Sequence, residues 1–325
     1  MSGFEVQLSR RAALLGAGGA VLAGSMAGSG ALPAFAAADI KGPMFSPVAR
    51  FTLGGFEVTT LLDGAVTADE PQKTFGMNAS VEAFGAASAE NHLPIDRMKM
   101  FFTPSVVNTG SELILFDTGV GEGGRPGRGN MRAALASAGY SPEQIDVVVL
   151  THMHPDHIGG LLEGGAPAFP NARYVAGQKE YDFWAAQDPE ANGAAKLFAA
   201  NVKPFADKMT FVSDGGSVAS GVTAMEAFGH TPGHMVFHLE SDGQRLLVTA
   251  DTANHYVWSL AYPDWEVRFD MDKEAAAAAR RNVFGMIAAD RIPFVGYHMP
   301  FPALGFVETK GDGFRYVPAS YQLSL

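Results

Sequence analysis

The sequence predicts an α/β domain built of packed layers. Short apolar runs of strand type alternate with stretches of helical spacing along most of the chain, and no Pro- or Ser-rich linker divides them. With 325 residues and 47% hydrophobic content, the chain can bury one large core. Several of the apolar runs end in a histidine or an aspartate, at the strand ends where open α/β layers gather their sites.

The elements follow in order. Ser9-Arg10-Arg11 precedes an apolar Gly/Ala-rich stretch, and Ala34-Phe35-Ala36 fits a small-x-small cleavage pattern. Residues 1–36 are therefore expected to be a signal peptide of twin-arginine type. The folded domain would cover residues 37–325, in a periplasmic or secreted protein. The apolar stretch is too short and too glycine-rich for a membrane span. Residues 50–53 and 56–62 flank Gly54-Gly55 and read as a hairpin. Residues 66–103 lack periodicity and read as a long loop region. Residues 104–108 and 113–116 read as strands, 130–138 as a helix stopped by Gly139, and 145–150 as a buried strand. In the second half, strands are expected at 173–176, 209–212, 222–228, 235–239, 245–249 and 292–296. Helices are expected at 178–186 and 272–289.

Charge and composition narrow the chemistry. The formal net charge is −11, which argues against nucleic acid or an anionic membrane as partner, since both need a basic face. With no cysteine, disulfides and thiolate zinc sites are excluded; any metal must be held by His, Asp, Glu or backbone.

The informative segment is Thr151-His152-Met153-His154-Pro155-Asp156-His157, directly after the apolar strand 145–150. His152 and His154 are two apart in an extended stretch, so they point to one side. Pro155 fixes a turn, and Asp156-His157 stand where a helix should start. Four ligand-type side chains in six residues point to metal rather than to a hydrogen-bonded polar turn. One short segment cannot complete two coordination shells, so further ligands must come from elsewhere. His230, Asp251 and His298 each follow a predicted strand. A carboxylate such as Asp251 can bridge two cations, a common hydrolytic arrangement.

This pattern resembles the metallo-β-lactamase superfamily. The H-x-H-x-D-H motif is complete at His152 to His157, and the later His, Asp and His match His230, Asp251 and His298. The resemblance implies a four-layer αββα sandwich. It implies one metal on His152, His154 and His230, another on Asp156, His157 and His298, and Asp251 between them. Asn108-Thr109-Gly110-Ser111, Asp117-Thr118-Gly119, Phe169-Pro170-Asn171-Ala172, Asp182-Phe183-Trp184 and Gly313-Phe314-Arg315-Tyr316-Val317-Pro318 further resemble methyl parathion hydrolase and its lactonase and arylesterase relatives. That likeness implies a hydrolase of lactones or aryl esters, with phosphotriesters as a further class, and a homodimer. Two Zn²⁺ per chain suit the donors best, with other divalent metals open to them.

The mechanism expected is attack by an activated water, with Asp156 relaying a proton to the leaving group and Asp251 between the cations. Asp117 and His234 are expected to orient ligands by hydrogen bonding. Met153, Trp184, Phe198, His255, Tyr256 and Trp258 are candidates for an apolar substrate pocket. His238 reads as structural and His92 as solvated. The loop 120–129 lacks the apolar, aromatic character of the organophosphate hydrolases, which weighs against efficient phosphotriester hydrolysis. It reads as solvated and flexible, with Arg125 or Arg128 facing an anionic substrate as the alternative. A β-lactamase is the rival within the same fold, and a metal-binding protein without catalysis the rival outside it.

Overall fold

The computed structural model describes Asp39 and residues 44–321. The expected signal peptide, residues 1–36, lies outside the described residues. One compact unit begins at Phe45.

Two seven-stranded sheets form the body. Residues 48–212 supply β1 (Val48–Leu53), β2 (Phe56–Leu61), β3 (Gly64–Asp69), β4 (Arg97–Phe102), β5 (Ser105–Asn108), β6 (Leu113–Phe116), β7 (Val147–Leu150), β8 (Leu162–Glu163), β9 (Ala166–Pro167), β10 (Arg173–Gly177) and β11 (Met209–Val212). Of these, β1-β2-β5-β6-β7-β10-β11 form the first sheet, while β3 with β4 and β8 with β9 make separate two-stranded ribbons. The second sheet runs β12 (Ser217–Ala219), β13 (Val222–Glu226), β14 (Met235–Ser241), β15 (Gln244–Ala250), β16 (Phe294–Gly296), β17 (Leu304–Lys310) and β18 (Gly313–Pro318), in sequence order.

Six α-helices accompany them among the described residues: α1 (Val81–Glu90), α2 (Met131–Ser137), α3 (Pro155–Ile158), α4 (Gln178–Ala185), α5 (Gly193–Asn201) and α6 (Lys273–Asp290). Parallel neighbours need a crossover. Accordingly α2 lies between β6 and β7, α4 and α5 between β10 and β11, and α6 between β15 and β16.

Packing makes the layers. Phe116 on β6 meets Phe237 on β14 with ring centroids 5.3 Å apart, so the two sheets face each other. Leu115, Val148 and Leu150 point to the opposite face of the first sheet, where they pack with Met131 and Leu135 of α2, Trp184 of α4 and Phe198 of α5. On the second sheet, Phe284 of α6 packs on Phe294 and Phe314. The order is helix, sheet, sheet, helix, the expected αββα sandwich.

One expectation needs correction, and two elements were not foreseen. Residues 66–103 are not a loop: β3 and β4 pair in full register from Gly64↔Phe102 to Asp69↔Arg97, and α1 starts at Ser80, whose hydroxyl accepts from Ala83 N–H. The ribbon pairs only with itself, so neither strand shows the long apolar run of a core strand. Residues 304–318 form the hairpin β17–β18 around Gly311, and α5 was likewise not foreseen. Both lie at the outside of the fold, where apolar periodicity is weak.

Candidate metal centre

The ligand-type side chains all follow strands that end at one edge of the sandwich. His152 and His154 leave β7, and Asp156 and His157 lie on α3 just beyond. His230 follows β13, Asp251 follows β15, and His298 follows β16. Ala250, immediately before Asp251, has φ +43°, a costly conformation for a residue with a Cβ.

Seven side chains converge in two adjoining groups: His152, His154 and His230 in one, Asp156, His157, Asp251 and His298 in the other, the donor atoms of each group lying within 4.8 Å of one another. Asp251 touches both. Its Oδ2 is 3.3 Å from His230 Nε2, 4.0 Å from His152 Nε2 and 3.1 Å from His298 Nε2, and its Oδ1 is 3.3 Å from His157 Nε2. Four donors around a tetrahedral zinc at ~2.0–2.1 Å stand about 3.3 Å apart, close to these spacings.

The outer hydrogen bonds aim the imidazoles. His230 Nδ1 lies 2.9 Å from Asp270 Oδ1, His157 Nδ1 2.8 Å from Asp117 Oδ2, and His298 Nδ1 2.7 Å from the Phe101 carbonyl. Each acceptor requires N–H on Nδ1, which leaves the Nε2 lone pair facing inward. In the first group the three inward nitrogens stand 3.2 and 2.9 Å apart. Burial and neighbouring imidazoles hold His152 and His154 well below the ordinary histidine range, so both are neutral. Neutral imidazole nitrogens gathered this closely suit a shared cation. In the second group, His157 Nε2 and Asp251 Oδ1 are buried with no hydrogen-bond partner. Burial lowers the His157 affinity for a proton, but Asp251, Asp117 and Asp156 raise it well above the usual value. The same surplus of carboxylate charge suits a cation. The donors therefore fit two divalent metals.

Three networks fasten the ligands. Asp117, at φ +62°, accepts from Thr151 N–H and its hydroxyl as well as from His157. His234 donates to the Ala227 carbonyl and accepts from Asp251 N–H at 3.2 Å, so it orients the backbone of Asp251 rather than a ligand ring. Glu180 is fully buried: Oε1 accepts from Met153 N–H and Trp184 Nε1–H, both at 2.8 Å, and Oε2 from the Thr231 hydroxyl at 2.7 Å and Gly233 N–H at 2.9 Å. It ties the His152–His154 segment to the His230 segment. A Cβ on Gly233 would stand 2.1 Å from Glu180 N, so only glycine lets that loop seat on α4.

Glu180, Asp270 and Arg280 escaped sequence reasoning. Arg280 is buried, donating to Asp270 Oδ2 at 2.7 Å and to the Pro263 carbonyl at 2.8 Å. Its signal was present: Arg280 shares the buried stripe of α6 with Ala276, Val283, Phe284 and Ile287.

A cavity of about 370 Å³ opens on the donors, lined by His154, Asp156, His230, Asp251 and His298. Its apolar wall is Val66, Met100, Phe102, Val120 and Phe269. None of the six expected pocket residues lines it. Met153 and Phe198 lie in the core beneath the helices, because Met153 points opposite to His152 and His154. Trp184 backs His154 at 6.2 Å while its N–H is tied to Glu180. His255 stacks on Trp258 at 4.1 Å beside Phe75. Burial holds its pKa at about 3. Tyr256 and Trp258 pack in this same cluster, which joins the β3–β4 ribbon and α1 to the body. His238 is half-buried in mid-strand and His92 is exposed after α1.

No curated protein sequence matches the chain significantly. Among solved structures, the chain is similar to AidC, a dizinc quorum-quenching lactonase seen in complex with a product, N-hexnoyl-L-homoserine. The identity is 28% and the TM-score 0.78, over 85% of this chain and 98% of that one. The hydrolase AbOPH of the beta lactamase superfamily shares the fold at 24% identity and TM-score 0.76, over 86% and 99%. A probable metal-dependent hydrolase from Staphylococcus aureus does so at 20% and 0.69, over 83% and 99%. The family model of the metallo-beta-lactamase superfamily matches residues 103–293, and the chain belongs to that superfamily.

Proposed function

We propose that this protein is a dinuclear zinc hydrolase of lactones or aryl esters. The observation that carries the reading is the double cluster of inward-facing lone pairs meeting at Asp251, opening on a mostly apolar cavity. Its likeness to a dizinc lactonase supports the metal and the substrate class.

His152, His154 and His230 would hold one cation, Asp156, His157 and His298 the other, with Asp251 shared. When bound, such a pair supplies Lewis acidity that makes water nucleophilic near neutral pH and polarises an acyl oxygen. The chain's own groups do the rest. Asp117, Asp270 and the Phe101 carbonyl keep the imidazoles in the tautomer that binds. Val66, Met100 and Phe269 seat the apolar part of the substrate and exclude water. Asp156, the more exposed of the two carboxylates, takes the proton lost by the attacking water and delivers it to the leaving oxygen. One acyl C–O bond forms, the other breaks, and the proton ends on the alcohol.

The N-terminal segment supports a site of action outside the cytoplasm, which cell fractionation checks. A hydrolysis panel with metal analysis tests the reaction: acyl-homoserine lactones, dihydrocoumarin, aryl esters, phosphotriesters and a chromogenic cephalosporin. Lactone or ester turnover with about two zinc ions per chain is expected. Fast cephalosporin turnover without lactone or ester hydrolysis overturns the substrate class.

A further inference from the structure

Arg128 is the one cation among the residues lining the metal cavity. Its guanidinium stands over the Phe102 ring, 5.8 Å from the centroid, and among the described residues no carboxylate or backbone carbonyl accepts a hydrogen bond from it. Arg125, three residues earlier, is different. It makes a two-pronged pair with Glu163 at 2.7 and 2.9 Å and donates to the Gly129 carbonyl. One arginine of this loop is committed to an ion pair, whereas the side chain of the other, among the described residues, makes no hydrogen bond and rests on Phe102.

The segment that carries Arg128 is held in place. The buried Asp63 carboxylate accepts from the N–H groups of Val120, Gly129 and Met131 at 3.1, 2.9 and 2.7 Å. Ala65 N–H donates to the Gly127 carbonyl at 3.1 Å, stitching the loop to β3. A Cβ on Gly64, at φ +148°, would meet Arg128 Cα at 2.3 Å, so the backbone at Arg128 lies directly on that glycine. The expectation of a flexible solvated loop is thereby corrected at this position. A side chain with five donors, anchored at its base and resting on an aromatic wall, presents unused hydrogen-bonding capacity to the cavity.

We infer that Arg128 is a specificity-determining residue that selects substrates carrying a carboxylate on the acyl side of the scissile bond. The inference rests on the hydrolase reading for its substrate, though not for its binding arm. A planar guanidinium matches a carboxylate in two parallel hydrogen bonds, and the apolar wall strengthens such a pair by excluding water.

The test uses the zinc-loaded full protein with matched probes. Mono(4-nitrophenyl) adipate carries the carboxylate on a chain too long for it to displace the nitrophenolate itself, and 4-nitrophenyl 6-methylheptanoate replaces it with an isopropyl group. Arg128→Met should lower kcat/KM for the adipate by about 10- to 100-fold, mainly through KM, while changing the neutral ester less than about threefold. Arg128→Lys, keeping charge but losing the fork, should fall between. Equal losses on both esters, or none, overturn the inference while leaving the hydrolase reading intact. Calorimetric binding of N-phenylsuccinamic acid against 4-methylpentananilide gives an answer that needs no turnover. The anion should bind about tenfold more tightly, and Arg128→Met should abolish the preference. Anion binding unaffected by Arg128→Met refutes the role, and absence of all turnover refutes the hydrolase reading alone.

Discussion

Substituting Glu180 by glutamine should separate a fastening role from a merely buried charge. Four donors converge on this carboxylate: Met153 N–H, Trp184 Nε1–H, the Thr231 hydroxyl and Gly233 N–H. Glutamine keeps one acceptor oxygen and replaces the other by a donor. With its oxygen toward Met153 and Trp184, the amide meets Thr231, whose hydroxyl can rotate and accept, and Gly233 N–H, which cannot. One buried donor is then orphaned, at roughly 1–3 kcal/mol. The flipped amide orphans two donors and is worse. Alanine would orphan all four, a loss of several kcal/mol against a net stability of about 5–15 kcal/mol. Glu180→Gln is therefore the informative variant. Because Met153 stands between His152 and His154, and Thr231 follows His230, zinc affinity should also fall about 10- to 100-fold. Urea unfolding of the zinc-loaded protein and chelator competition measure the two effects. A glutamine variant with unchanged midpoint and unchanged zinc retention would show that Glu180 does not hold the two loops together.

Asp251→Ala removes the group shared by both clusters, so bound metal should drop by at least one ion per chain with loss of most activity; full occupancy by elemental analysis would contradict the bridging role. Asp270→Asn should weaken zinc binding about tenfold, read by chelator competition. Arg280→Met, which strands the buried Asp270 charge, should cost about 3–5 kcal/mol in unfolding experiments. Burial pushes the Asp270 carboxyl up, but His230 and Arg280 more than offset this and hold it below the ordinary range. Its ionisation thus stabilises the fold above pH ~3.9, and the contribution is lost as pH falls through the lower folded-state value. Asp270→Asn should remove that part of the acid unfolding curve. Phe198→Ala should destabilise by about 3–5 kcal/mol with little change in KM, whereas Phe269→Ala should raise KM at smaller cost in stability; the reverse pattern would return Phe198 to the substrate pocket.

By itself, the sequence determined the layered α/β architecture and the seven converging donors. Both are written locally. An apolar run marks a core strand, and a histidine or aspartate placed just past its end is carried to the sheet edge with it, as His152, Asp251 and His298 are. The cavity wall and the supporting network were decided only by tertiary structure. Met153 and Phe198 are as apolar as Met100 and Phe269, and which pair meets substrate depends on the packing of elements far apart in the chain. The β3–β4 ribbon that supplies Val66, Met100 and Phe102 pairs only with itself and left no long apolar run to read. Glu180 looks like an ordinary solvated charge until folding buries it beside donors from other segments, and the stripe of α6 marks Arg280 as buried without naming its partner, because a buried charge needs partners that no local pattern supplies.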